Sequence, residues 1–124
     1  MDINLSFIRQ KPIVEKLENG CFKHVFYYDG YALSCEMYFN SKKELYRLDG
    51  PAYISYWESS GYPLYEEYYV NNKRHNIKGP AIIERDISGN IISEDYYIND
   101  IEYSKEEYNK IINIDKNLRL LNKK

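Results

Sequence analysis

The chain has 124 residues, 44% of them apolar, and 15 tyrosines against four phenylalanines and one tryptophan. That is long enough for one domain with its own core and too apolar for a chain disordered throughout. A net charge of −2 and a pI near 5.7 exclude a general nucleic-acid binder, which needs an excess of Lys and Arg for phosphate.

Met1 to Lys11 lacks the apolar core of a signal peptide, and no stretch approaches the length of a membrane span. The expected compartment is therefore the cytoplasm, with Cys21 and Cys35 as reduced, unbridged, metal-free thiols. Lys11 to Gly20 reads as a short helix, with Pro12 in its first turn and Gly20 as its stop. Residues 1–20 are the expected N-terminal cap of a single domain.

Internal repetition governs the reading of residues 21–103. The stretch Gly61 to Asn71, GYPLYEEYYVN, aligns without a gap on Gly89 to Asn99, GNIISEDYYIN, and on Gly30 to Asn40, GYALSCEMYFN. Asp49-Gly50-Pro51-Ala52 recurs as Lys78-Gly79-Pro80-Ala81. After each Gly-Pro-Ala comes a short β-rich run, Tyr53 to Trp57 or Ile82 to Glu84. A glycine-bearing turn follows, and then a return strand, Leu64 to Val70 or Ile92 to Ile98. The expected fold is mainly β, with tandem antiparallel hairpin repeats forming an elongated sheet.

Period-two alternation sorts the return strands into faces. Leu33, Met37, Phe39, Leu64, Tyr68, Val70, Ile92, Tyr96 and Ile98 form the expected inward set. The opposite face then carries Glu36 with Tyr38, Glu67 with Tyr69, and Asp95 with Tyr97. Beyond the repeats, residues 104–124 read as a capping helix and tail. Ser104-Lys105-Glu106-Glu107 is a capping box, and Tyr108, Ile111, Ile112 and Leu118 follow with helical spacing.

The segment Tyr65-Glu66-Glu67-Tyr68-Tyr69-Val70-Asn71-Asn72-Lys73-Arg74-His75 resembles a MORN repeat, a glycine- and aromatic-rich hairpin unit. The resemblance spans roughly residues 21–103 and is nearest the longer antitoxin-like and viral variants ending in Gly-Pro-Ala. The pattern has glycine where this chain has Asn72 and Asp100, and His75-Asn76-Ile77 replaces its His-Gly step. The resemblance implies elongated sheets used for protein or lipid contact, and no reaction.

Catalytic chemistry is hard to assemble from these residues. Cys21 and His24, three apart in a strand, point to opposite faces, and two histidines with two cysteines make a poor zinc set. No Walker loop, nucleophile elbow or dinucleotide glycine pattern occurs. Neither a catalytic residue nor a cofactor is expected. Tyrosine supplies large contact area at low rotamer cost. The candidate partner-binding residues are therefore Tyr38, Tyr69 and Tyr97, their acidic neighbours Glu36, Glu67 and Asp95, and Trp57 as a further anchor. The reading that follows is a non-enzymatic protein-binding module acting by occlusion, of inhibitor, antitoxin or anti-defence type. Its acids favour a basic protein, for instance one that itself binds nucleic acid. The alternatives are a membrane-peripheral or scaffold module of the MORN kind, using the C-terminal Lys and Arg, and a small-ligand-binding or hydrolytic protein using the aromatic-acidic face.

Overall fold

The computed structural model describes residues 11–122. Among the described residues ten strands precede one helix: β1 (Ile13–Lys16), β2 (Phe22–Tyr27), β3 (Leu33–Phe39), β4 (Tyr53–Tyr56), β5 (Pro63–Glu67), β6 (Tyr69–Val70), β7 (Lys73–Arg74), β8 (Ile82–Arg85), β9 (Ile91–Ile98), β10 (Ile101–Tyr103) and α1 (Lys105–Asn122). Eight of the strands form one antiparallel sheet in the order β1-β2-β3-β4-β5-β8-β9-β10, while β6 and β7 pair as a separate ribbon. The β-rich character and the C-terminal helix agree with the sequence.

The segment from Lys11 to Gly20 is a strand and a turn, not the expected helix. β1 pairs with β2, so that Val14 lies opposite His24. Gly20 has φ +80° and serves the turn, where its amide donates to the Leu17 carbonyl at 3.2 Å. A helix this short is marginal in water, whereas the β2 edge offers backbone partners to the β-branched pair Ile13-Val14. Residues 1–10 of the expected cap lie outside the described residues.

Two tight turns show how short polar residues replace glycine. Asn71, Asn72, Asn99 and Asp100 all adopt positive φ, between 48° and 71°, as two-residue hairpin loops of the primed type require. Asn and Asp enter this region more readily than other side chains because they are short and polar, and here two of them bond to distant backbone. Asn72 Oδ1 accepts from the Leu45 amide at 2.8 Å, and Asp100 Oδ1 accepts from the Arg74 amide at 3.2 Å. Each turn thereby clips onto the connection before it.

Directly opposed residues in a sheet share a face. One row across six strands is Val25, Glu36, Ile54, Glu66, Ile83 and Glu94. Tyr38 and Tyr96 lie two residues further along β3 and β9 on the same side, as does Tyr68 just beyond the end of β5, interleaved by Ala52 and Ala81. The backbone confirms that register: the Tyr38 amide donates to Ala52 O at 2.8 Å and the Tyr68 amide to Ala81 O at 2.7 Å. Helix α1 docks on this side through Tyr108, so it is called the helix face. The other side, the open face, carries the row His24, Met37, Tyr53, Glu67, Ile82 and Asp95.

No large side chain among the described residues is fully buried; the core is Cys21, Tyr38, Ala52, Ala81, Tyr96 and Tyr108. Ala52 and Ala81, both 0% exposed, are small because each sits between two tyrosine rings. The expected inward set is therefore corrected. Ile92 is 59% exposed, and Leu64, Val70 and Ile98 are only half-buried. Among the described residues one helix lies over β9 and β10, and no second layer covers these side chains.

Helix α1 starts as its sequence reads. The Glu107 amide donates to Ser104 Oγ at 3.1 Å, and Glu107 Oε1 accepts from the Ser104 amide at 3.2 Å, a reciprocal capping box. Tyr108 packs inward, Ile111 and Ile112 are half-covered, and Leu118 is exposed.

Candidate functional site

The residues singled out in the sequence do not fall on one face. Glu36 and Tyr38 lie on the helix face, in line with Glu66, Glu94, Tyr68 and Tyr96. Glu67, Tyr69, Asp95 and Tyr97 lie on the open face. The cause is one turn. Gly61 and Gly89 take positive φ in their hairpins, but in the first hairpin Tyr31 does so, with φ 68°, and not Gly30. Aligning glycine on glycine shifts β3 by one residue, and a one-residue shift moves every side chain to the other face.

On the helix face Glu36 and Glu66 are already engaged. Tyr56 donates its hydroxyl to Glu36 Oε1, and Lys23 Nζ stands 3.0 Å from Glu36 Oε2. Burial works against ionising Glu36, but the Tyr56 hydrogen bond and the Lys23 ammonium outweigh it and hold the carboxyl below its usual range. Tyr56 is pushed well up, first by burial and then by that same bond. One hairpin on, Arg85 Nε takes the place of the Tyr56 hydroxyl and meets Glu66 Oε1 at 2.9 Å. Tyr38 is 8% exposed, with the Arg47 guanidinium 4.0 Å above its ring.

The open face is different. The Tyr69 hydroxyl donates to Glu67 Oε1 at 2.9 Å, and burial followed by that contact raises its pKa. Tyr65 lies directly opposite Glu84 across β5 and β8, and the charge of that carboxylate raises its pKa. Tyr97 faces Glu102 on β10, and the Arg74 guanidinium stands 5.4 Å from the Tyr97 ring. None of the four ion pairs among the described residues involves Glu67, Glu84, Asp95 or Glu102. The result is a tyrosine-rich surface with four acids free of cationic partners at contact distance and one nearby guanidinium.

The chain matches no protein-family model, curated protein or solved structure.

Trp57 stands at the end of β4, half-buried, with its indole N–H donating to Arg85 O at 3.2 Å. Tyr28 does the same one hairpin earlier, its hydroxyl donating to Tyr56 O at 3.0 Å. Both side chains tie one hairpin to the next. Sequence reasoning missed Tyr53, Tyr65, Glu84 and Glu102, which share the open face. The available signal was the alternation of the forward strands, placed in phase with Glu67 and Asp95.

The remaining reactive groups are structurally occupied. His24 packs edge-on against Phe39 with ring centres 4.8 Å apart, and His75 Nδ1 accepts from the Asn99 amide at 3.0 Å. Cys21 and Cys35 are free thiols; burial, with the adjacent Glu36 carboxylate, pushes Cys35 up and lowers its nucleophilicity. Among the described residues no three His, Cys, Asp or Glu side chains are grouped so as to hold a metal ion. Among the described residues no helix is long and apolar enough to cross a membrane.

Proposed function

We propose that this chain is a non-enzymatic binding module, built of MORN-like hairpins, that acts by covering the surface of a protein partner in the manner of an inhibitor or antitoxin. The observation that carries the reading is the open face: Tyr53, Tyr65, Tyr69 and Tyr97 interleaved with Glu67, Glu84, Asp95 and Glu102, whose acids enter no ion pair among the described residues. Tyrosine is a common interface anchor, and unneutralised acids steer a basic partner into register. The contact set is thus Tyr69, Tyr97, Glu67 and Asp95 from the sequence reading, extended by their neighbours in the sheet. Glu36 and Tyr38 serve the fold instead.

The test is affinity capture with the full chain, followed by binding measurements on the purified captured protein. Changing Tyr69 and Tyr97 together to serine should weaken binding by about 30-fold or more, as two interface anchors do. Glu84→Gln should chiefly slow association and flatten its salt dependence. Unchanged affinity in both variants would remove the open face as the contact surface. A second reading rests on α1, where Ile114, Leu118 and Leu121 are exposed beside Lys110 and Arg119, a pattern suited to a lipid surface. Flotation with anionic vesicles that is lost on Leu118→Ser with Leu121→Ser would favour that membrane-peripheral role.

A further inference from the structure

Three tyrosines hold the same place on successive hairpins of the helix face, and two of them are covered by the chain itself. Tyr38 is 8% exposed beneath the Arg47 guanidinium, and Tyr96 is 9% exposed beneath Tyr108. The middle ring, Tyr68, has no such cover and is only half-buried. It forms the floor of a cleft of about 500 Å³ walled by Arg47, Gly50, Val70, His75 and Ile77.

The seat of Tyr108 shows what such a cleft accepts. Its ring lies 4.8 Å from that of Tyr96, centre to centre. Its hydroxyl accepts from the Gly79 amide at 3.0 Å and donates to the Asn76 carbonyl at 2.8 Å. The loop that provides those two groups has a counterpart beside Tyr68. Asn76 N donates to Tyr97 O at 3.1 Å, as Arg47 N does to Tyr69 O at 3.2 Å. Asn76 Nδ2 reaches Pro80 O at 2.9 Å, as Arg47 Nη1 reaches Pro51 O at 3.1 Å. Gly50 and the Arg47 carbonyl therefore stand to Tyr68 as Gly79 and the Asn76 carbonyl stand to Tyr96. Among the described residues, no acceptor meets the Gly50 amide and no donor meets the Arg47 carbonyl.

From this correspondence we infer that the cleft over Tyr68 is a second tyrosine seat, which takes the tyrosine of a partner helix. The incoming ring lies on Tyr68, and its hydroxyl bridges the Arg47 carbonyl and the Gly50 amide. The partner resembles α1 in chemistry: acidic in its first turn, as at Glu106 and Glu107, with a tyrosine just beyond. Lys78 beside the cleft favours those acids, and Asp49, the acid of the rim, is held by Arg47 at 3.1 Å. The seat is on the opposite side of the sheet from the acidic tyrosine face and does not depend on that face binding anything.

The probe is a capped peptide with the sequence of residues 104–117, added to isotopically labelled full-length protein and followed by amide resonances. Saturable binding with its largest shift at the Gly50 amide is expected. A peptide carrying Tyr108→Phe should bind about tenfold more weakly, the loss expected for the hydroxyl's hydrogen bonds, and one carrying Tyr108→Ala should not bind. Tyr68→Leu in the protein should abolish the Gly50 response. Should that variant misfold, the shift pattern of the parent protein still decides. The inference is overturned by the absence of a Gly50 shift at millimolar peptide, by shifts confined to Gly79, which would mean exchange with the resident helix, or by equal affinity of the phenylalanine peptide.

Discussion

Tyr108→Phe deletes one oxygen atom and tests how the helix is held to the sheet. Tyr108 is 4% exposed, and its hydroxyl satisfies a backbone N–H at Gly79 and a backbone C=O at Asn76. Phenylalanine keeps the ring on Tyr96 and leaves both backbone groups without that partner. A net hydrogen bond contributes about 1 kcal/mol, and a buried group left unsatisfied costs about 1–3 kcal/mol. Limited water entry at the edge of the seat puts the expected loss at about 2 kcal/mol. For a domain of this size that corresponds to a fall in melting temperature of about 6–8 °C. Urea titration followed by far-UV circular dichroism should show a lower midpoint at unchanged slope if helix and sheet unfold together. Tyr108→Ala removes the ring as well and should cost about 3–5 kcal/mol, as large aromatic truncations do. A midpoint for Tyr108→Phe equal to that of the parent would refute the reasoning, because it would mean the hydroxyl makes no net contribution to docking.

Two further outcomes follow from the same geometry. Burial holds the His75 imidazole below its ordinary pKa of 6.5, and its neutral Nδ1 accepts from the Asn99 amide. On acidification the unfolded chain takes up that proton first. The stability due to neutral His75 is therefore complete above about pH 6.5 and is lost as pH falls through the depressed folded value. Denaturant titrations of the parent and His75→Gln between pH 7.5 and 5 should converge as pH falls, and parallel profiles would contradict this account. Ile92→Ser, at a side chain 59% exposed, should change stability by no more than about 0.5 kcal/mol. Ala81→Leu, at a site 0% exposed between Tyr68 and Tyr96, should cost about 1–3 kcal/mol by overpacking. Thermal melts giving the opposite order would mean the rows of the helix face are misassigned.

Much of the local structure was legible in the residues. The return strand Ile92 to Ile98, the Asn71-Asn72 and Asn99-Asp100 turns and the Ser104 capping box depend on short-range preferences and appear where their sequences place them. The expected strand Leu64 to Val70, by contrast, is divided at Tyr68 between β5 and β6. Of the candidate site, only the half containing Glu67, Tyr69, Asp95 and Tyr97 emerged as one surface. Alternation determines which residues of a strand lie together, but not which face of one strand continues onto the next. That phase is fixed by the residue that takes positive φ in the turn, and the energetic difference between Gly30 and the 85% exposed Tyr31 is of the order of 1 kcal/mol. Such a difference is small enough for the pairing of β2 with β3 to override. The same holds for β1, whose short sequence suits a helix until the β2 edge offers it hydrogen bonds. Which tyrosine of the helix face is covered also lies beyond local sequence. Arg47 closes over Tyr38 and Tyr108 over Tyr96 through contacts between separate elements, and only the assembled sheet leaves Tyr68 open between them.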